Sequence, residues 1–245
     1  WVHCGLTQTE RIHRVIFHPK NPEIVYVAAM GKAWGESKER GVFKTTDGGK
    51  TWKKILYVNP STGCADLIMD PRNPRKMFAA MWEYRRWPWF FKSGGEGSGL
   101  YVTHDGGNTW DRVTSKHGLP KGMLGRMGIA ISHSNPEVVY ALVEAKKSAL
   151  CKSVDGGHTW KIVNDKKNVN PRPFYYCDIR VDPANENRVY KLAAPLKVSD
   201  DGGKSFKTIA KNVHSDHHDM WINPKNPYHI IDGNDGGIAI SYDRG

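Results

Sequence analysis

Apolar positions along the chain come in short runs, and none of them shows the i, i+3, i+4 stripe of a long amphipathic helix. A brief apolar run leads into a stretch rich in Pro and Asn, and a β-branched or aromatic run follows. The pattern reads "FHPKNPEIVYVAA" from Phe17, "MDPRNPRKMFAAM" from Met69, "SHSNPEVVYALV" from Ser132, "VDPANENRVYKLA" from Val181 and "INPKNPYHIIDG" from Ile222. Pro and Asn set turn dihedrals, whereas Val, Ile, Tyr and Phe suit a pleated, half-buried surface. Each stretch predicts strand, turn, strand.

A second signal follows each of these. It is "TTDGGKTW" (Thr45 to Trp52), "THDGGNTW" (Thr103 to Trp110), "SVDGGHTW" (Ser153 to Trp160), "SDDGGKSF" (Ser199 to Phe206) and the shortened "SYDRG" (Ser241 to Gly245). Its aspartates, Asp47, Asp105, Asp155, Asp201 and Asp243, recur at separations of 58, 50, 46 and 42 residues. That spacing is the size of one propeller blade. In such a turn the carboxylate can accept N–H bonds from its own loop, and the Ser or Thr hydroxyl adds a local bond. The glycines permit φ > 0. Trp52, Trp110, Trp160 and Phe206 then start the next strand and can wedge between neighbouring sheets. Regular recurrence favours a structural staple over a calcium site or a catalytic acid.

The unit is strand, Pro/Asn turn, strand, variable loop, strand, Asp turn, strand: a four-stranded antiparallel meander. Tandem meanders predict an all-β propeller of about five blades, over residues 1–245 as one segment. The blades fall at approximately 10–58, 63–115, 124–164, 174–211 and 215–245. Residues 1–5 are expected as a strand of a preceding or closing blade. Trp1 reads as the closing Trp of one Asp turn, and "SYDRG" as a turn without its "TW". Two arrangements are open, a closed five-blade ring and five blades of a larger one; the larger is expected.

Composition changes this picture only in places. With 36 Lys and Arg against 25 Asp and Glu the net charge is +11, which suits anionic partners or a solvated basic surface. The charges form no block, and nucleic acid is the weakest of the partner readings. No run approaches the ~18 apolar residues of a membrane helix. Cys4, Cys64, Cys151 and Cys177 form no CxxC pair, so a zinc ribbon is not expected; they read as small core residues.

The Asp turn resembles the Asp-box, or bacterial neuraminidase repeat, of sialidases, xyloglucanase-type glycosidases and sortilin-type receptor domains. "RIHRVIFHPKNPEIVYVAAMGKAWG", "ERGVFKTTDGGKTW", "GEGSGLYVTHDGGNTW", "NPRPFYY" and "HHDMWINPKNPYHIIDGNDGG" resemble, more closely, large bacterial exported proteins with glycosyl-hydrolase-like or sortilin-like repeats. The resemblance implies a ring of seven or more blades and a secreted or periplasmic location. Asp-boxes mark a fold rather than an activity.

Function is expected on the loops opposite the Asp turns, where the inserts lie. The largest is "EYRRWPWFFKSGGEGSG", which groups Tyr84, Arg85, Arg86, Trp87, Trp89, Phe90 and Phe91 and returns through a Gly-rich, flexible tail. Exposed aromatics beside Arg suit sugar stacking, peptide anchoring or base stacking; packing against a neighbouring blade is the alternative. Trp34 lies on a smaller insert of the same face. Arg11, Asp66 and Arg126 open inner strands, as do Arg172, Phe174, Tyr175 and Tyr176, and then His214, Asp216, His217, His218 and Asp219. His214, Asp216 and His218 are ligand types for a divalent metal, although alternation sends His217 and His218 to opposite faces. Otherwise no cofactor is expected. "DGNDGG" (Asp232 to Gly237) reads as a tight turn. Asp66, Glu83, Asp178 and Asp219 are the carboxylates a glycosidase would draw on, but spacing selects no pair among them. The expected role is therefore a non-catalytic binding or assembly module. Its partner would be a glycan, a peptide, a partner subunit or further blades of a longer chain. The alternative is a piece of a xyloglucanase- or sialidase-like glycoside hydrolase whose catalytic acids lie elsewhere.

Overall fold

The computed structural model describes residues 2–245, and the expectation for Trp1 lies outside the described residues. The chain is all-β: among the described residues the only helical segment is one 3-10 turn, Ser115–His117. Five antiparallel sheets follow one another in chain order. The first is β1 (Ile12–His18), β2 (Asn21–Ala29), β3 (Gly41–Thr45) and β4 (Lys53–Leu56). The second is β5 (Thr62–Met69), β6 (Met77–Arg86), β8 (Gly99–Thr103) and β9 (Asp111–Val113), with β7 (Phe91–Ser93) paired to β6. The third is β10 (Leu124–Ile131), β11 (Val139–Ala145), β12 (Ala149–Ser153) and β13 (Lys161–Asn164). The fourth is β14 (Ile179–Asp182), β15 (Asn185–Lys191), β16 (Lys197–Ser199) and β17 (Lys207–Thr208), and the fifth β18 (His217–Ile222), β19 (Ile230–Asn234) and β20 (Gly237–Ser241). The chain divides into two compact units. The first runs to Thr114 and takes in Lys121–Met127; the second holds Ser115–Pro120 and the chain from Gly128 on.

One register recurs in every sheet. The Ser or Thr that opens the Asp turn pairs with the apolar residue three or four places after the Pro/Asn turn: Thr45 with Val25, Thr103 with Met77, Ser153 with Val139, Ser199 with Val189 and Ser241 with Ile230. This hydroxyl then organises the loop. Thr45 Oγ1 donates to Asp47 Oδ1 at 2.7 Å and accepts the Gly49 N–H at 3.0 Å. The Asp47 carboxylate also takes the Thr51 amide and hydroxyl, at 2.9 and 2.6 Å. The same bonds form around Asp105, Asp155 and Asp201. Asp243 keeps the bonds to Ser241 and Gly245. The Thr51 hydroxyl, then its amide, hold Asp47 down to about 2, and Ser205 does the same for Asp201. Both glycines of the turn are left-handed in each full copy, Gly48 at +69° and Gly49 at +90° for example.

The two repeated motifs are joined to each other. The first glycine of each Asp turn donates its N–H to a carbonyl of the Pro/Asn turn in the same sheet: Gly48 to Glu23, Gly106 to Arg75, Gly156 to Glu137 and Gly202 to Asn187, at 2.8–3.0 Å. In the fifth sheet Arg244 stands in the glycine position. It adopts φ +74° and makes the same bond to Tyr228.

The core lies between sheets. In the first unit Tyr26, Ala28, Val42 and Leu56 pack with Cys64, Leu67, Met77, Ala79 and Met81, and Trp110 closes onto them. In the second, Tyr140, Leu142 and Leu150 pack with Cys177, Ile179, Val181 and Val189, and Phe206 takes the aromatic place. Burying each large apolar side chain there contributes about 1.5–3 kcal/mol. Trp160 is buried with its indole N–H on Gly157 O, within its own turn.

Three expectations are corrected. Residues 2–5 form no strand; the Cys4 carbonyl instead accepts the Trp52 indole N–H at 2.6 Å. Cys4 is exposed, so it is no core residue, whereas Cys64, Cys151 and Cys177 are buried, and none of the four is in a disulfide among the described residues. The Gly-rich tail after Phe91 is packed, not flexible. A Cβ at Gly95 would run into Glu83 and one at Gly97 into Thr62 and Asn59, and Gly97 donates its N–H to Glu83 Oε2 at 2.9 Å. "DGNDGG" is the end of β19, a two-residue turn and the start of β20.

Candidate binding face

In the first unit the 83–99 insert is a hairpin. Its first half extends β6, and β7 folds back with Tyr84 opposite Ser93 and Arg86 opposite Phe91. Along β6 Trp82 and Tyr84 are buried, Arg85 on the opposite face is half-buried, and only Arg86 at the strand end is exposed. Trp82 and Tyr84 stack at 4.7 Å between centroids, with Phe91 6.0 Å from Trp82. The tip carries Trp87 and Phe90, 5.7 Å apart, and Trp89, which is 83% exposed.

The β2–β3 loop is tied to this hairpin. Arg86 N–H donates to Ala33 O at 3.1 Å, and the Tyr84 hydroxyl to Lys32 O at 3.2 Å. Arg40, at the end of that loop, is fully buried and donates to the carbonyls of Lys32, Gly35 and Ser61 at 2.7–3.2 Å. Gly31 is a glycine because the Arg40 Cγ lies 2.6 Å from where its Cβ would be. Trp34 sits on the loop, 60% exposed.

Guanidinium groups cover the faces of these rings. Arg11 and Arg40 each lie 5.0 Å from the Tyr84 centroid, Arg85 4.6 Å from Trp87, Arg86 5.5 Å from Phe91 and Arg126 5.6 Å from Trp82. Burial, with Arg11 alongside, lowers Arg40 to about 10; burial also lowers Arg11, where Arg86 adds to the effect. Among the described residues Arg11, Arg40, Arg85 and Arg86 make no ion pair with a carboxylate. Arg14, Arg180 and Arg188 do, with Asp66, Asp219 and Asp200.

The second unit holds the other expected site residues. The Arg172 guanidinium lies 5.0 Å from the Tyr175 ring and 5.7 Å from Tyr176, and His218 stacks on Tyr176 at 5.5 Å. His218 Nε2 meets Asp235 Oδ1 at 2.8 Å. His217 is buried, its Nδ1 2.8 Å from Asp232 Oδ2, which also accepts the Asn234 amide at 3.0 Å. His214 Nδ1 accepts the Asp216 N–H at 3.3 Å. His214 and Asp216 thus bond each other while His218 pairs with Asp235, and no group of three His, Cys, Asp or Glu able to hold a metal occurs among the described residues.

Sequence reasoning missed Arg40 and Asp232. Arg40 sits in "ESKERG", which reads as a solvated charged loop, and Asp232 sits in a stretch that reads as a turn; each takes its role from a distant segment. The four candidate carboxylates all face cations. Asp66 meets Arg14 at 3.0 Å, Glu83 meets Lys92 at 2.6 Å, and Asp178 and Asp219 meet Arg180. Glu83 is partly buried, which raises it, yet Lys92 and the Gly97 N–H bring it below the usual range. That is the wrong direction for a proton donor.

No family model matches the chain, and no curated protein matches it. Solved structures do. An ancestral GH74 enzyme is 16% identical over 92% of this chain and 29% of its own, with a TM-score of 0.68. The shared property is a β-propeller fold. The GH74 xyloglucanase from Xanthomonas campestris is 18% identical over 94% of this chain and 36% of its own, with a TM-score of 0.64. YCF48 from Cyanidioschyzon merolae is 14% identical over 97% of this chain and 68% of its own, with a TM-score of 0.56. The chain therefore spans about a third of the GH74 enzymes it matches. This propeller has five blades, and no helix among its described residues is long and apolar enough to cross a membrane.

Proposed function

We propose that this propeller is a binding module. Its working surface is the β6–β7 hairpin with the β2–β3 loop, at the end of the blades away from the Asp turns. One observation carries the reading: Trp89, Phe90 and Trp34 project into solvent from a framework whose inner rings and guanidinium groups are packed and hydrogen-bonded. Exposed aromatics on a rigid base are what binding hot spots are made of. The candidate carboxylates are each engaged by a cation, so no catalytic role is assigned to them.

Arrays of defined peptides and glycans, probed with wild type and with the Trp89→Ser/Phe90→Ser double variant, test this. The expected result is a set of wild-type ligands whose signal drops tenfold or more in the variant, while its melting temperature stays the same. Ligands held equally by both proteins, or none on either array, would remove the hairpin from the role.

A further inference from the structure

Resting on that reading, the geometry points to the class of ligand: we infer that the hairpin face takes an acidic protein segment, in which carboxylates meet Arg85 and Arg86 while apolar side chains meet Trp89 and Phe90. Two features favour this over a sugar. A sugar platform needs open aromatic faces, yet of the face's rings Trp82, Tyr84, Trp87 and Phe91 each have a guanidinium 4.6–5.6 Å from the centroid, which leaves only the projecting Trp34, Trp89 and Phe90 uncovered. What the hairpin offers instead is guanidinium N–H groups beside protruding Trp89 and Phe90, 83% and 58% exposed. Trp and Arg side by side are the composition of protein–protein hot spots.

The second feature is charge. Arg11 and Arg40 lie over Tyr84 and Arg86 over Phe91 of one hydrophobic cluster, Arg85 lies over Trp87 at the hairpin tip, and none of the four has an ion-paired carboxylate among the described residues. Glu10 and Glu36 lie close enough to act on Arg11 or Arg40 through space, but neither pairs with them. The fully buried Arg40 is held by three carbonyl oxygens and is ion-paired with no carboxylate among the described residues, so its charge sits beneath the face. Partly buried like charges repel strongly because the medium screens them little. A carboxylate at Arg86, which is exposed, or at Arg85 relieves that repulsion and makes a charge-assisted, forked hydrogen bond. Charge complementarity of this kind sets association rate and partner choice.

The test uses three probes by isothermal titration: a soluble 12-residue peptide of Asp, Glu and Leu; the same peptide with Asn and Gln replacing the acids; and polygalacturonate. Expected is binding of the acidic peptide, at least tenfold weaker for the neutral peptide, and weakening as salt rises. An Arg85→Gln/Arg86→Gln variant of unchanged melting temperature should lose the acidic peptide by at least tenfold. Equal binding of acidic and neutral peptides, or an unchanged variant, overturns the inference. So does binding of polygalacturonate alone, which would assign the arginines to an acidic glycan. If array ligands still depend on Trp89 and Phe90 in those cases, the binding-module reading survives and only the acidic-segment inference falls.

Discussion

The two glycines of one Asp turn make separable demands, and substituting each with alanine measures them apart. Gly106 sits at φ +75° with room around it: an added Cβ would find Tyr26 Oη at 3.6 Å and Lys44 Nζ at 3.8 Å, ordinary contacts. Gly106→Ala therefore costs only the left-handed backbone, roughly 1–2 kcal/mol. Its bond to Arg75 O uses the backbone N–H and survives. Gly107 sits at +87°, and its Cβ would overlap Ile55 Cδ1 and meet Met77 Cε at 3.7 Å, inside the core shared by the first two sheets. Gly107→Ala adds overpacking of about 1–3 kcal/mol to the backbone cost, for roughly 2–5 kcal/mol in all. Gly203 repeats the tight position in the second unit, where its Cβ would overlap Leu150 and lie 3.4 Å from Val163 Cγ2, whereas the Gly202 Cβ would meet only the polar ends of Asn187, Lys152 and Tyr140 at 3.2–3.4 Å. Equilibrium urea unfolding followed by tryptophan emission gives both differences from the midpoints at constant slope. The reasoning is refuted if Gly107→Ala costs no more than Gly106→Ala, because the aromatic-closed seam between sheets would then not be tight.

Further consequences can be measured. Arg244 pays the left-handed cost, but it also faces the Tyr228 ring at 4.2 Å and the buried Asp182 carboxylate at 3.7 Å, so Arg244→Gly should destabilise by about 1–3 kcal/mol despite the relieved backbone. Arg244→Val should cost about 1–2 kcal/mol more than Arg244→Gly in the same urea assay. The carboxylates of Asp47 and Asp201, held down to about 2, are ionised in the folded state where the unfolded chain takes up protons. Stability should therefore fall as pH drops from about 4 towards 2, and melting curves of Asp201→Asn should show a shallower fall. Lys191 is buried, and burial brings it down to about 8, its Nζ donating to Asn168 O and Val169 O at 2.9 and 2.8 Å. The unfolded state then holds the extra proton between pH 8 and about 10.5, so stability should rise across that window. A melting-temperature profile of Lys191→Met should lack the rise.

What was legible in the sequence is what depends on neighbours in the chain. Asp47 bonds Thr45, Gly49 sits four residues from the hydroxyl it meets, and Thr51 is four from the carboxylate, so the turn could be read from eight letters. The same holds for the strand pattern, because turn chemistry and period-2 burial are local. The hairpin residues Tyr84 to Phe90 were legible as a group, but their roles were not. Tyr84 is buried and only Trp89 and Phe90 stand out, because β6 continues five residues past its partner β8 before turning. Arg40 reaching Ser61, or His217 reaching Asp232 across a strand pair, depends on register between segments that the letters do not specify. Glycine carried two meanings that composition cannot separate: a left-handed turn at Gly48, and close packing against Glu83 at Gly95 and against Thr62 at Gly97.

The division between a uniform end and a working end follows from the hydrogen bonds. At the Asp-turn end, two loops of each blade are locked together by the bond from the first turn residue to the Pro/Asn turn, in all five sheets. An insertion in either loop would break that bond, at about 0.5–1.5 kcal/mol each. The connections between second and third strands carry no such lock, and their lengths differ widely. They run from Met30 to Arg40 in the first sheet and from Trp87 to Ser98, with β7 inside, in the second. The later sheets have only Lys146 to Ser148, Leu192 to Leu196 and the Asp235–Gly236 turn. Length is found in the two adjacent blades whose loops bond to each other through Ala33 and Arg86. The free loops are therefore not scattered around the fold but concentrated where Arg40 and Tyr84 hold them. The same arrangement that makes the rest of that end short leaves Trp34, Trp89 and Phe90 of the first unit as its projecting side chains. Shortening the Met30–Arg40 loop should therefore release the hairpin as well, since Arg86 and Tyr84 lose their acceptors at Ala33 and Lys32. Amide exchange of residues 84–93 in such a deletion should accelerate; unchanged protection would mean that β7 alone fixes the hairpin.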